Sequence, residues 1–260
     1  MKPVGLRIAK LRASIKLEKF TGRGYMTDRV CLITGVGPGT GTALVRRFCE
    51  DYKVAMIARN EDRLIELESD LADAKGYPCD VSDFEQLSMS IDRIREELGA
   101  PSIVVHNAVG GAFGNFLEID PSVLEHNFQV NTMALLHIGR AVAPDMISKG
   151  EGSIIITGNT SAYRGMPGFA GFAPTKAAQR VLAESMARDL GPKGVHVGYV
   201  AIDAVIDLEW TRERMPDKPD DFFCKPGDIA GECYRLAHQP KSAWSFSSII
   251  RPFGENWSVS

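Results

Sequence analysis

Several features are scarce in this chain of 260 residues, and each scarcity excludes a class. No stretch approaches the ~18 consecutive apolar residues of a membrane-spanning helix; the longest apolar runs, such as Ile154–Ile156, are strand-sized. An excess of one charge is missing too. Lys and Arg number 30 against 33 Asp and Glu, a net of −3, so no global basic field argues for nucleic acid. Cysteine is sparse: Cys31, Cys49, Cys79, Cys224 and Cys233 are odd in number, widely spaced and form no C-x-x-C. That pattern fits thiols in a reducing, cytoplasmic compartment and neither a disulfide frame nor a zinc ribbon. The five histidines make no H-x-x-x-H pair, so no metal site is expected. Internal repeats and low-complexity tracts are absent. What remains is 44% hydrophobic and 24% charged, the balance of an ordinary globular chain long enough for a large core.

The first 25 residues stand apart. They carry seven basic residues and one acid, a net of +6, which leaves −9 for residues 26–260. Three readings of this segment stay open: residues upstream of an internal start at Met26, an organelle-targeting segment, or a basic arm for anionic surfaces.

From Met26 on, the hydrophobic period switches repeatedly between strand and helix. Strands are expected at Val30–Thr34, Val54–Ala58, Tyr77–Val81, Ile103–Asn107, Gly152–Thr157, Val195–Ala201 and near Ser247–Arg251. Helical spacing covers Thr42–Tyr52, Glu61–Ala74, about 121–148, 170–190 and 227–238, with Ser82 as cap and Glu85 as capping-box partner of a further helix. Strands that read as unbroken Val/Ile runs are buried on both faces, so the expectation is a doubly wound α/β fold over 26–260 as one domain.

The chemistry starts at Thr34-Gly35-Val36-Gly37-Pro38-Gly39-Thr40-Gly41, between the first strand and first helix. Glycines at such a turn let backbone N–H groups approach a pyrophosphate, and the helix N-terminus adds unpaired donors and a positive dipole end. After the second strand comes Arg59. A basic group there suits a 2′-phosphate and an acid suits a ribose hydroxyl, so Arg59 favours NADP(H), with NAD still possible.

These segments resemble the short-chain dehydrogenase/reductase family. Thr34–Gly41 fits its T-G-x-x-x-G-x-G turn, and Cys79-Asp80-Val81 looks like its adenine-contacting segment. His106-Asn107-Ala108-Val109 matches its N-N-A-G at two of four positions, Asn107 among them. Asn131 falls where the family carries its network asparagine, and Lys176 where its active-site lysine sits. The resemblance covers about 27–260. It implies a Rossmann-type, mainly parallel seven-stranded sheet with helices on both faces and a nicotinamide cofactor. It further implies a small-molecule substrate, a homodimer or homotetramer, and no nucleic-acid or membrane partner. The cofactor-binding set it implies is Gly35, Gly37, Gly39, Gly41, Arg59, Asp80, Val81, Asn107 and Lys176.

One departure is central. The family's Tyr-x-x-x-Lys pair sets a phenol beside an ammonium that lowers its pKa and connects through water to the asparagine. Here the segment is Phe172-Ala173-Pro174-Thr175-Lys176, and thirteen residues earlier the serine position holds Asn159. The Pro-Gly after strand six is replaced by Ile202-Asp203. Phe172 has no proton to give. Lys176 and Asn131 survive as a hydrated relay, and a donor must come from elsewhere. Tyr163, on the loop after strand five, is the first candidate; Asn159 could polarise a carbonyl, and Ser161 and Asp203 follow. Segment 208–226 looks like the family's substrate lid, and its Trp210, Met215, Phe222 and Phe223 suit a substrate with apolar bulk.

Three functional readings follow. The first is an NADP(H)-dependent oxidoreductase moving hydride to or from a carbonyl, alcohol or activated C=C group with a non-standard proton donor. The second is a catalytically silent NAD(P)-binding protein, a sensor or partner subunit. The third is a basic-arm interaction protein on a Rossmann scaffold.

Overall fold

A computed structural model describes residues 28–254, so the basic segment 1–25 lies outside the described residues. Seven strands form one all-parallel sheet: β1 (Val30–Thr34), β2 (Lys53–Ala58), β3 (Ala74–Pro78), β4 (Pro101–His106), β5 (Gly152–Asn159), β6 (Val195–Ile202) and, last in the chain, β9 (Ser247–Ile250). Their order is β3-β2-β1-β4-β5-β6-β9. The helices are α1 (Thr40–Phe48), α2 (Glu61–Asp70), α3 (Phe84–Glu97), α4 (Pro121–Phe128), α5 (Ala134–Lys149), α6 (Ala173–Leu190), α7 (Glu209–Arg214) and α8 (Pro226–Ala237). A two-stranded ladder of β7 (Val205–Ile206) and β8 (Phe223–Cys224) ties down the segment around α7. This is the doubly wound arrangement expected from the alternating periods, with the Rossmann-type seven-stranded sheet that the family resemblance implies.

Side-chain alternation along each strand builds two cores. Leu32, Ile57, Val104, Ile154 and Ile156 face α3, α5 and α6. Cys31, Ile33, Met56, Val105 and Ile155 face α1, α2 and α8. The chain direction across the sheet reverses between β1 and β4. A crevice opens there at the carboxyl ends of the strands, the place where open α/β sheets hold ligands. No described helix is long and apolar enough to cross a membrane.

Some boundaries differ from the sequence reading. The third strand runs Ala74–Pro78, not Tyr77–Val81. It is an edge strand whose register is fixed by β2; β2 ends at Ala58 opposite Pro78, and Cys79 N–H makes the last bond to Ala58. Without a partner strand, apolar Cys79 and Val81 line the following turn. The cap of α3 is Asp83, which accepts from the Gln86 amide. Ser82 spends both its amide and hydroxyl on Asp80 Oδ1, so it caps nothing. The helix expected over 121–148 is continuous in direction but interrupted by a π turn at Gln129–Met133. That insertion carries Asn131, and such turns cluster at functional sites.

Candidate functional site

The glycine turn forms the mouth of a cleft of about 770 Å³. Gly35 has φ +74°, and a Cβ there would strike the Ala108 backbone. Gly41 lies against Gly35, where a Cβ would come within 2.5 Å of the Gly35 carbonyl oxygen. Gly37 differs, because nothing lies within 4 Å of its Cβ position and it faces open cleft. No side chain caps α1, and the first bonds into its opening turn come from Thr42 to Gly37 and Ala43 to Gly39. The Gly35, Val36 and Gly37 amides are spent on backbone carbonyls, so the donors that this helix start leaves for a ligand are those of Gly39, Thr40 and Gly41.

Sequence reasoning missed Thr40. Thr40 lines the same cleft, and its hydroxyl is buried with no hydrogen-bond partner among the described residues. A buried polar atom left unpaired at a helix N-terminus fits an anionic group such as a pyrophosphate. Nothing in a one-dimensional reading separates Thr40 from a routine first-turn threonine; only its burial does.

At the far end of the cleft, Arg59 extends into solvent and approaches Asp80 at 3.8 Å. Asn60 and Arg63 line the wall beside it, both unnoticed in the sequence. Burial raises the Asp80 pKa, but the Ser82 amide and hydroxyl and the Arg59 charge outweigh it and hold the carboxyl below its ordinary value. Val81 completes this wall. Asn107 is a tie rather than an open group: Nδ2 donates to the Gly35 carbonyl at 2.9 Å and Oδ1 accepts from Thr157 Oγ1 at 2.9 Å. The segment around α7 closes the cleft, with Leu208 over Gly39 and Trp210 at the rim. Arg212 clamps it by a two-pronged bond to Asp207 and a third to Asp220.

Asn131 is wholly buried on the π turn. Its Oδ1 accepts from the Gly110 amide at 3.0 Å, while Nδ2 donates to the Gly110 carbonyl at 2.7 Å and to Thr175 Oγ1 at 2.8 Å. It therefore fixes the turn after β4 to the start of α6. Lys176 is also buried; Nζ donates to Gln179 Oε1 at 2.8 Å and to the Thr157 carbonyl at 3.3 Å. Burial brings its pKa down to about 7. The Gln179 amide in turn donates to the Asn131 carbonyl at 2.8 Å. The expected hydrated link between lysine and asparagine is thus closed by a side chain.

Phe172 packs at the start of α6, 5.6 Å ring to ring from Phe113, with Lys176 Nζ 5.9 Å from its centroid. Phe113 also meets Phe169 edge-on at 5.0 Å. Phe169 in turn lines a second, mostly apolar cavity of about 710 Å³. Phe116, Met166, Phe169 and Pro174 line it, and so do Ser161, Tyr163 and Arg164. Tyr163 lines this cavity and not the glycine cleft. Its hydroxyl shares a hydrogen bond with Ser247 Oγ at 2.7 Å, and the Arg180 guanidinium sits 5.0 Å over its ring.

The other donors are engaged. Asn159 Oδ1 accepts from the Ser161 amide and hydroxyl, and Nδ2 donates to the Ile202 carbonyl at 3.1 Å. Asp203 is tied to Arg251 and Thr160. No cluster of three or more His, Cys, Asp or Glu among the described residues could hold a metal ion, and the five cysteines form no disulfide.

Residues 29–216 match the short chain dehydrogenase family, and the chain belongs to it. The chain is 28% identical over 211 residues to oxidoreductase UcpA of Salmonella typhimurium, covering 76% of this chain and 78% of that protein. It is 26% identical over 230 residues to carbonyl reductase (NADPH) 2 of Sus scrofa, covering 84% and 93%. Among solved structures, an alcohol dehydrogenase of the archaeon Thermococcus sibiricus complexed with 5-hydroxy-NADP superposes with a TM-score of 0.78. Its sequence is 25% identical, and the match covers 88% of this chain and 98% of that one.

Proposed function

We propose that this chain is an NADP(H)-dependent oxidoreductase that moves hydride between the nicotinamide and a carbonyl, alcohol or activated C=C substrate with apolar bulk. The observation that carries the reading is the state of the glycine turn: an uncapped helix start, the unpaired Thr40 hydroxyl, and a Gly37 that faces open cleft with its own N–H spent on the Gly35 carbonyl. Arg59, with Arg63 beside it in the cleft wall, supports the 2′-phosphate form of the cofactor. The relatives named for NADPH or NADP point the same way.

When bound, the nicotinamide supplies or accepts the hydride. The chain's own groups bind it, orient the substrate and manage one proton at the substrate oxygen. Gly35, Gly37, Gly39, Gly41 and Thr40 would hold the pyrophosphate, while Arg59, Asp80 and Val81 would hold the adenosine end. Asn107 and Asn131 keep the turns after β1 and β4 in place, and Lys176 fixes the start of α6 beside them. Tyr163 is the one phenol lining the 710 Å³ cavity and is the proton donor in this reading, with Ser161 next to it. Phe172 sets an apolar ring beside Gly111 of the cleft. Exposed Ile147 and Val181, on α5 and α6, support a homo-oligomer through these helices.

The test is NADPH consumption with a panel of apolar aldehydes, ketones and enones, with Lys176→Ala as control. Turnover lost in Lys176→Ala supports the proposal. Tight NADPH binding without turnover across the panel supports a silent binding protein instead, a reading that Phe172 favours because its ring cannot donate a proton.

A further inference from the structure

The buried end of Lys176 is sealed. Its ammonium meets two acceptors, Gln179 Oε1 and the Thr157 carbonyl, and the face of the Phe172 ring. Among the described residues, no carboxylate pairs with it to relieve its burial. The nearby imidazole of His106 is wholly buried, shares a hydrogen bond with Thr34 Oγ1 at 2.9 Å, and is kept neutral by burial and by the Lys176 charge, its pKa brought down to about 3. Gln179 is itself fully buried and spans from the lysine to the Asn131 carbonyl with both ends of one carboxamide. That carbonyl lies on the π turn, where the ladder is one residue longer, with the Ala134 amide reaching Gln129.

The chemistry of the bridging group matters. Water, a hydroxyl or a carboxyl can accept one proton and release another. A carboxamide holds its N–H protons and scarcely accepts one near neutral pH, so a chain running ammonium, amide, carbonyl conducts nothing. We propose that Gln179 is a proton-tight plug: its carboxamide fills the gap between the Lys176 ammonium and the Asn131 carbonyl, leaving Lys176 a fixed hydrogen-bonding group cut off from proton exchange with solvent. Gln179 acts through Lys176 and is a positioning residue. The consequence for turnover rests on the oxidoreductase reading above: a phenol restored at position 172 stays poorly supplied with protons until the plug is removed.

The direct test is the exchange rate of the Lys176 Nζ protons, read by NMR at pH 6 in the full chain with labelled lysine and assigned through Lys176→Met. In the wild-type protein they exchange at least about tenfold more slowly than those of surface lysines. Gln179→Ala leaves room and polar partners for a water and speeds exchange about tenfold or more, whereas Gln179→Met, similar in volume and apolar, keeps it slow. Wild-type exchange as fast as the surface lysines, or no acceleration in Gln179→Ala, overturns the proposal. The wild-type arm decides the matter if Gln179→Ala does not fold. In the activity arm, Phe172→Tyr combined with Gln179→Ala raises carbonyl reduction by more than the product of the single changes. Slow Lys176 exchange with no turnover in any variant removes the oxidoreductase reading and keeps the plug. Fast wild-type exchange with normal turnover does the reverse.

Discussion

Replacing Thr40 by valine perturbs the apo and nucleotide-bound states in opposite directions. The Thr40 hydroxyl is buried without a partner, and valine has the same shape with a methyl in its place. Removing an unpaired buried hydroxyl relieves a desolvation cost of about 1 kcal/mol or more. For a protein of this size that raises the apo melting temperature by about 2–4 °C. If the turn holds a pyrophosphate as proposed, the same hydroxyl would donate to a phosphate oxygen, and a hydrogen bond to a charged group contributes about 1.5–3 kcal/mol. NADPH affinity therefore falls by roughly tenfold to a hundredfold. Differential scanning fluorimetry with and without NADPH, with calorimetric titration, reads both signs in one preparation. A Thr40→Val protein that melts lower when apo and binds NADPH as tightly as the wild type would refute the reasoning, because Thr40 would then be an ordinary structural hydroxyl.

Further outcomes follow from the same geometry. Gly37→Ala meets no protein atom within 4 Å, so it leaves the melting temperature unchanged while weakening NADPH by at least about tenfold in titration. Arg59→Ala weakens NADPH by about tenfold and leaves NADH nearly unaffected, because on the proposed reading the lost charge is the one that would meet the 2′-phosphate. Tyr163→Phe lowers steady-state carbonyl reduction by about a hundredfold or more without changing NADPH affinity. Lys176 carries a pH signature: burial brings its pKa to about 7 from 10.5, so between these values the unfolded chain binds more protons and this group's contribution to stability rises with pH. Its cost is greatest below pH 7, so the Lys176→Met melting temperature, relative to wild type, is higher at pH 6 than at pH 9.

The fold was legible because its signals are local. Val30–Thr34 and Val54–Ala58 read as buried strands, and glycine at 35, 37, 39 and 41 between strand and helix announces a turn with a narrow set of uses. What escaped depends mostly on contacts distant in sequence. The third strand differs because its register belongs to β2; the cap of α3 differs for a local reason, the turn in which Asp80, two residues before Ser82, takes the Ser82 hydroxyl. Gln179 reads as an ordinary helix residue until Asn131, 48 positions earlier, turns its carbonyl toward it. Tyr163 was singled out as a loop phenol, but its placement in a second cavity and its bond to Ser247, 84 positions later, belong to the folded chain alone. Nor does the sequence show the ring contacts of Phe113 with Phe169 and Phe172, since these meet only once the loop after β4 folds against α6.

The central claim is that the mouth of the glycine turn holds a dinucleotide. Isothermal titration of the purified chain with NADPH, with NADH alongside, tests it most directly. The account predicts saturable one-to-one binding, tighter for NADPH, and abolished or sharply weakened in Gly37→Ala. No heat with either nucleotide at millimolar concentration, from a protein that melts cooperatively, would contradict it.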